Sequence, residues 1–245
     1  MLDLAAKDPR SVMLITAIRG GDVSTLERLL DEDQTLVNAR IVDEHHFGRT
    51  LLHVVTEWPG HWPEGARTVE LLARRGADVN ARAGDPERHE VREAPLHWAA
   101  SSDDVAVLEA LLDAGADIEV PGAVFTGGTP MSDAVVFAQW NAARRLLERG
   151  AKTTIWQAAA LGLADQVRTA LAAEPRPTAR DMTNALWHAC RGGQRAVAEL
   201  LVREGADPNW IGHDQKTALD VAEESGNQEL IAWLRGEGAK SAKQL

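Results

Sequence analysis

The 245-residue chain lacks several features that would place it in a membrane or among secreted disulfide-bonded proteins. Its one cysteine, Cys190, cannot form an internal disulfide, which is typical of a reducing compartment. No apolar run approaches the roughly 18–20 residues that span a bilayer. The first ten residues have no basic stretch followed by an apolar one, so we see no secretory signal. We therefore expect a cytoplasmic protein with no membrane partner.

Positive charge is also scarce. The chain has 26 Lys and Arg against 37 Asp and Glu, which gives a formal net charge of −11. Binding to a phosphate backbone needs clustered Lys and Arg, so we expect no nucleic-acid partner. An acidic protein attracts basic partners through its long-range field.

Motifs of common enzymes and cofactor sites are missing as well. The sequence contains no GxxxxGK[ST], GxGxxG, GxSxG or CxxC pattern. The run Asp43-Glu-His-His46 could suggest a metal site, but consecutive histidines on a strand project to opposite faces. We therefore expect no metal and no cofactor.

What the chain does contain is an internal repeat. The segment Ala94-Pro-Leu-His-Trp-Ala-Ala100 is followed by the apolar Val107-Leu-Glu-Ala-Leu-Leu112 and then by Gly115-Ala-Asp117. The same order recurs along the chain with an average spacing of about 34 residues. The copies start near residues 12, 50, 94, 129, 153, 184 and 217.

This pattern resembles the ankyrin repeat, whose signature is T-P-L-H-x-A, over roughly residues 12–238. The resemblance implies an all-α solenoid of about seven helix-turn-helix repeats with short β-hairpin loops. Helix pairs of this kind bury their apolar stripes only against neighbouring pairs. We expect a single domain over residues 1–245 with frayed termini at 1–11 and 239–245. Glycines that follow the second helices are predicted helix C-caps: Gly76, Gly115, Gly150 and Gly205.

The spacing departs from the period at three places. Two insertions, at 57–63 and 83–92, lengthen the second copy, and the loop at 148–155 is shortened. The first insertion has two Trp and two Pro, and it forms either a hydrophobic lid over helix ends or a binding wall. The shortened loop is either a neutral deletion or an opening toward the concave face.

Three consecutive copies carry a polar residue directly after the position of the motif's histidine. These residues are Asp133, Gln157 and His188, and each lies near a tryptophan of a first helix (Trp98, Trp156 or Trp187). They either satisfy nearby backbone groups, or form a polar pocket that binds a ligand or peptide, or support acid–base chemistry. For His53 and His97, in the motif's own position, the resemblance implies structural hydrogen bonds.

The resemblance also implies that partners bind on the concave face. We expect a monomeric, non-enzymatic scaffold for a protein or peptide partner, preferably basic. The predicted contacts are the aromatic residues Phe47, Trp58, Trp98 and Trp210 and the polar residues Arg49, Asp133, Gln157 and His188. The alternative is a small-molecule or catalytic pocket on the irregular repeats around 125–190.

Overall fold

Short helices in consecutive pairs make up most of the computed structural model, which describes residues 2–85 and 93–245. The chain folds as two compact units, Met1–Ala151 (unit 1) and Lys152–Leu245 (unit 2). The division falls in the shortened loop at 148–155. The expectation of a single domain stays a prediction, and each unit is described by itself.

Unit 1 holds a small sheet and four helix pairs. Its elements are β1 (Asp3–Ala5), α1 (Pro9–Gly20), α2 (Val23–Glu32), a 3-10 helix (Gln34–Asn38), β2 (Arg40–Val42), β3 (Gly48–Thr50), α3 (Leu51–Thr56), α4 (Gly65–Arg74), α5 (Pro95–Ser101), α6 (Val105–Asp113), α7 (Pro130–Val136) and α8 (Trp140–Glu148). The first helices α1, α3, α5 and α7 contact one another in that order, and the second helices α2, α4, α6 and α8 do the same.

Unit 2 holds three further pairs. Its elements are α9 (Ile155–Ala160), α10 (Ala164–Leu171), α11 (Ala179–Arg191), α12 (Arg195–Arg203), a 3-10 helix (His213–Gln215), α13 (Ala218–Ser225), α14 (Gln228–Gly236) and a 3-10 helix (Ala242–Gln244). The first helices α9 and α13 both contact α11. Within the described chain the seven predicted helix pairs are thus present, and the all-α ankyrin solenoid is confirmed as the fold class.

The apolar stripes predicted from the sequence are buried between the pairs. In α6, Val107, Leu108 and Leu111 are fully covered, and α4 buries Val69 and Leu72 in the same way. The four predicted C-cap glycines all have φ between 90° and 95°, a conformation that favours glycine. No helix in the described part of the chain is both long enough and apolar enough to cross a membrane.

Both chain ends are held more firmly than expected. The predicted frayed segment 2–11 instead forms β1 and the start of α1, and Leu4 of β1 is buried. β1 pairs in parallel with β2, which pairs antiparallel with β3, so the backbone groups on both edges of β2 find partners. At the other end, Thr217 Oγ1 donates to the Lys240 carbonyl at 2.8 Å, and the Ala242 N–H donates to the Asp220 carboxylate.

The sequence predicted a short β-hairpin between repeats. Within residues 2–85 and 93–245, two consecutive strands form such a hairpin only at β2 and β3. Elsewhere in the described chain, turns join the repeats. Most of the second insertion lies outside the described residues. The first insertion is fastened to the next repeat, because the His61 N–H donates to Asp104 Oδ2 at 2.7 Å and its ring contacts the Ser102 carbonyl at 2.9 Å.

One side chain at the start of each of several first helices links its own helix to the next repeat. His53 Nδ1 accepts the Thr50 N–H at 3.2 Å, so the proton lies on Nε2, which donates to the Glu93 carbonyl at 3.0 Å. His97 bridges Ala94 and the Gly128 carbonyl in the same manner. These bonds confirm the structural role of both histidines. Burial lowers the pKa of His53 to about 4, which keeps its ring neutral.

Trp187 makes the equivalent link in unit 2, since its Nε1–H donates to the Lys216 carbonyl at 3.0 Å. We expect Trp187→Phe to lower the free energy of unfolding by about 1–2 kcal/mol, because the variant loses this bond and part of a buried ring. Urea denaturation measures the change. Trp58→Phe is the matched control, and its side chain is exposed. Equal destabilisation by both substitutions would contradict the linking role.

Candidate functional site

The most unusual side chain of unit 1 is Asp133, in the middle of α7. Preceding repeats place Val54 and Trp98 at the same position, but Asp133 puts a carboxyl group there with 0% of the residue exposed. No N–H or hydroxyl donor among the described residues reaches its oxygens, and its hydrogen bond is with the Glu93 carboxylate. Since burying two adjacent carboxylates is costly, this pair favours the protonated form of Asp133.

Glu93 lies beside Asp133 and is held in place by two bonds. Its Oε2 accepts the indole N–H of Trp98 at 2.8 Å, and its Oε1 accepts the backbone N–H of Val124 at 2.9 Å. The Trp98 ring also packs edge-on against His53, with centroids 4.9 Å apart. Glu93 thus ties the loop before α7 to the first turn of α5.

Two exposed phenylalanines lie next to these carboxyl groups. Phe137 follows Asp133 by one helical turn, and its N–H bonds to the Asp133 carbonyl. Phe125, directly after Val124, packs on Phe137 with ring centroids 5.7 Å apart. Phe125 is 70% exposed and Phe137 is 40% exposed. We call Glu93, Trp98, Phe125, Asp133 and Phe137 the acidic–aromatic site.

Burial alters the protonation state of Asp133 in this site. It raises the pKa of Asp133 to about 8, and the neighbouring Glu93 carboxylate adds to the effect. At neutral pH, Asp133 is therefore mostly protonated. Because a protonated acid can donate, Asp133 can share its proton with Glu93.

Unit 2 holds a second aromatic group around His188. Its ring lies 4.6 Å from Trp156, 5.0 Å from Trp187 and 5.5 Å from His213, measured between centroids. His213 in turn packs edge-on against the half-buried Trp210 at 5.9 Å. Nδ1 of His188 has no hydrogen-bond partner within the described chain, and burial lowers the pKa of this histidine to about 3. We call these five residues the indole–imidazole cluster.

Gln157 corrects the predicted repeat register. Its Oε1 accepts the Thr154 N–H at 2.7 Å and the Thr154 hydroxyl proton at 3.0 Å, the bonds that His53 makes with Thr50. Gln157 therefore occupies the position of the motif's histidine and does not follow it. The fifth repeat starts at Thr154, one residue later than the sequence pattern indicated, because a similar threonine precedes it. The buried Gln157 amide caps its helix and is no candidate contact for a partner.

The other predicted contact residues differ in accessibility. Trp58 is 81% exposed on the fastened loop, so this loop covers helix ends and also presents an indole to solvent. Phe47 is half-buried, and Arg49 pairs with Glu57 at 3.4 Å. Asp133 lies in unit 1, whereas Gln157 and His188 lie in unit 2. The positions of the predicted contact residues give no support to the alternative of a small-molecule or catalytic pocket around 125–190.

Six residues of the two sites were not predicted as contacts: Glu93, Phe125, Phe137, Trp156, Trp187 and His213. Glu93 directly precedes the motif at 94, at the end of an insertion, where the repeat pattern fixes no side-chain role. For Phe137, the available signal was its spacing of four residues from Asp133. Among the described residues, no group of three His, Cys, Asp or Glu side chains is arranged to hold a metal ion.

Comparison with known proteins agrees with this architecture. The family described as "Ankyrin repeats (3 copies)" matches residues 155–244, and "Ankyrin repeat" matches 47–83 and 93–123. The chain belongs to the ankyrin repeat family. Ankyrin repeats are in general protein–protein interaction modules.

Two curated proteins that contain ankyrin repeats match this chain at 31% identity. The chain is 31% identical over 211 residues to the ankyrin repeat and SOCS box protein 16 of Homo sapiens, a match that covers 80% of this chain and 39% of that protein. It is 31% identical over 153 residues to an ankyrin repeat and KH domain-containing protein of Caenorhabditis briggsae, covering 58% of this chain and 6% of that protein. The chain thus spans well under half the length of these curated relatives.

A solved structure shows the fold directly. The human ASB11 ankyrin repeat domain aligns with a TM-score of 0.52 at 21% identity, covering 90% of this chain and 96% of that one. At this identity the likeness supports the fold and says nothing of a partner.

The raised pKa of Asp133 predicts a stability that falls with rising pH. The folded state holds this proton up to about pH 8, whereas an unfolded aspartate loses it near its ordinary pKa of 3.8. Stability from the bound proton is therefore lost as pH rises from about 4 to 8. We expect Asp133→Asn to lessen the fall in unfolding free energy between pH 5 and 8 by roughly 2 kcal/mol, as urea denaturation would measure. If Asp113→Asn, on the exposed end of α6, had the same effect, the explanation would be wrong.

The lowered pKa of His188 predicts the opposite sign at acid pH. An unfolded histidine takes up a proton near pH 6.5, but the buried ring does so only near 3, so stability falls as pH drops through this interval. His188→Phe keeps the aromatic packing and removes the proton. Between pH 7 and 4 we expect the variant to lose roughly 2 kcal/mol less unfolding free energy than the wild type. His45→Gln, at an exposed position, serves as the control and should retain the wild-type loss.

Proposed function

We propose that the chain is a non-enzymatic scaffold that binds a basic protein or peptide through the acidic–aromatic site of unit 1. The observation that carries this proposal is the exposed pair Phe125 and Phe137, packed on each other at 5.7 Å beside the Glu93 carboxylate. Exposed apolar side chains grouped in this way are typical of interaction surfaces. Phenylalanine and tryptophan are also enriched where interfaces have their buried centres.

The distribution of charge also favours unit 1 as the binding site for a basic partner. Unit 1 has 15 Lys and Arg against 25 Asp and Glu, whereas unit 2 has 11 against 12. Nearly all of the net negative charge therefore lies in unit 1. A field of this sign speeds the approach of a basic partner and disfavours an acidic one.

The remaining predicted contact residues take different places in this proposal. Trp98 and Asp133 belong to the site itself. Trp58 and Phe47 are further contacts that a larger partner would reach in unit 1, while Arg49 serves its ion pair with Glu57. In unit 2, Trp210 and His188 both pack on the His213 ring, and we assign them a role in the stability of the fold. A cytoplasmic location and a monomeric state stay predictions.

A peptide selection tests the proposal. Random peptides displayed on phage are selected on the immobilised wild-type chain, and the bound pool is measured again on a Phe125→Ala/Phe137→Ala double variant. We expect selected peptides to be rich in Lys and Arg and to bind the variant at least tenfold more weakly, because the apolar contact is lost. Salt should weaken binding further.

The matched control is Val12→Ala/Met13→Ala, which removes two exposed apolar side chains of α1 in the same unit. Selected peptides should bind this control as they bind the wild type. Peptides without basic residues, or peptides that bind both double variants equally, would contradict the proposed surface.

A further inference from the structure

The loop between α6 and α7 ends in a compact turn, residues 121–128, which we call the finger. Phe125 lies at its tip and is largely exposed. The finger is closed by its own backbone, because the Ala123 N–H donates to the Gly128 carbonyl at 3.0 Å and the Gly127 N–H donates to the Ala123 carbonyl at 2.7 Å. These bonds keep the shape of the turn, so the tip changes position as one piece.

The finger runs alongside α7. It comes directly before the first residues of this helix, yet Phe125 packs on Phe137, which follows the last residue of the same helix. Because α7 has 7 residues, it is about 10 Å long. A tip that leaves one end of the helix and contacts a ring at the other end must lie along its side.

The base of the finger is fastened at both of its ends. The Arg82 guanidinium donates to the Pro121 carbonyl, and His97 Nε2 lies 3.4 Å from the Gly128 carbonyl. These two side chains come from the loop before α5 and from α5 itself. Neither bond reaches the tip, so the base alone does not determine where the tip lies.

Glu93 holds the tip. Among the described residues, the one hydrogen bond that joins residues 123–126 to a part of the chain outside the finger is the bond from the Val124 N–H to Glu93 Oε1, at 2.9 Å. The ring contact between Phe125 and Phe137 is apolar and sets no direction of its own. The carboxylate of Glu93 therefore determines where the tip lies along α7.

Glu93 is itself a firm support. Its backbone carbonyl accepts the His53 ring N–H at 3.0 Å and the Ala83 N–H at 3.0 Å. Its other carboxylate oxygen accepts the Trp98 indole N–H at 2.8 Å. Both the backbone and the side chain of Glu93 are thus fixed by residues outside the finger.

We propose that Glu93 is a positioning residue, whose carboxylate holds the finger so that Phe125 is already seated on Phe137 when a partner arrives. The inference rests on the proposed function, because it names the group that keeps that aromatic surface in its binding form. A partner that meets a preformed pair of rings does not have to order the finger, and ordering a loop on binding lowers affinity.

Glycines on both sides of the tip make this support necessary. Gly122 and Gly127 have φ of 133° and 67°. Glycine has more backbone conformations open to it than other residues, so a tip flanked by glycines has more freedom to lose. Once released from Glu93, the tip samples other positions, and Phe125 leaves Phe137.

The first test needs no partner. In Glu93→Gln the amide replaces one acceptor oxygen by a donor, so the side chain no longer accepts both N–H groups. By nuclear magnetic resonance we expect the Val124 N–H to exchange at least tenfold faster, and the Overhauser signal between the Phe125 and Phe137 rings to fall at least twofold. Glu70→Gln, which removes an exposed carboxylate of α4, should change neither. In the wild type, the Val124 N–H should exchange at least tenfold more slowly than the Phe125 N–H, whatever the variant's stability.

The second test is a double-mutant cycle with one selected basic peptide. In the wild-type background, Glu93→Gln should weaken the peptide at least tenfold, because the variant loses a negative charge and also the support of the finger. In a Phe125→Ala background no ring is left to position, so the loss should be at least threefold smaller. A merely structural role would lower the urea midpoint and leave the two losses equal.

Equal losses in the two backgrounds, or a Val124 exchange rate unchanged by Glu93→Gln, would overturn the inference. Its failure is distinguishable from failure of the proposed function. Equal losses with peptides that still depend on Phe125 and Phe137 would overturn the positioning role and leave the aromatic surface. Faster Val124 exchange with peptides indifferent to both phenylalanines would overturn the proposed function and leave the hold of Glu93 on the finger.

Discussion

The structure depends on a hydrogen-bonded link between consecutive repeats, made by the side chain at the position of the motif's histidine in a first helix. His53 caps the start of α3 with one ring nitrogen and holds the carbonyl before α5 with the other. Trp187 reaches the corresponding carbonyl with its indole nitrogen. Since these bonds fix the distance between neighbouring first helices, they also fix which side chains of successive helices lie side by side.

The candidate site is a consequence of that spacing. Trp98 and Asp133 occupy the same position in adjacent repeats, directly after the linking residue. Glu93, which supplies the carbonyl for the link from His53, bonds Trp98 with its side chain and so joins the link to the site. The polar group that most repeats avoid at this position is thereby enclosed between two helices, where burial keeps it protonated.

The sequence predicted the repeat architecture well because the signals behind it are local. Apolar spacing within α6 and glycine at the helix ends are properties of a few consecutive residues, and the structure reproduces them. The register at Gln157 was predicted one residue off because Thr153 and Thr154 both resemble a cap, and only the hydrogen bond distinguishes them. The strand β1 was missed, since three residues acquire their conformation only by pairing with β2.

The candidate site was predictable only in part, for the same reason. Asp133 stands out among the residues that follow the position of the motif's histidine, but its burial and its contact with Glu93 depend on how α7 packs against α5. Gln157 and His188 looked equivalent to Asp133 in sequence. In the structure, one caps a helix and the other packs among indoles. Pattern alone does not distinguish a polar side chain that is satisfied by its own helix from one that is not.

A crystal structure of the chain with a bound basic peptide would show where a partner binds. We expect a lysine or arginine nitrogen within hydrogen-bond distance of the Glu93 carboxylate, with Phe125 and Phe137 covered by the peptide. A peptide bound elsewhere on the chain, with Glu93 and both phenylalanines still open to solvent, would contradict this expectation.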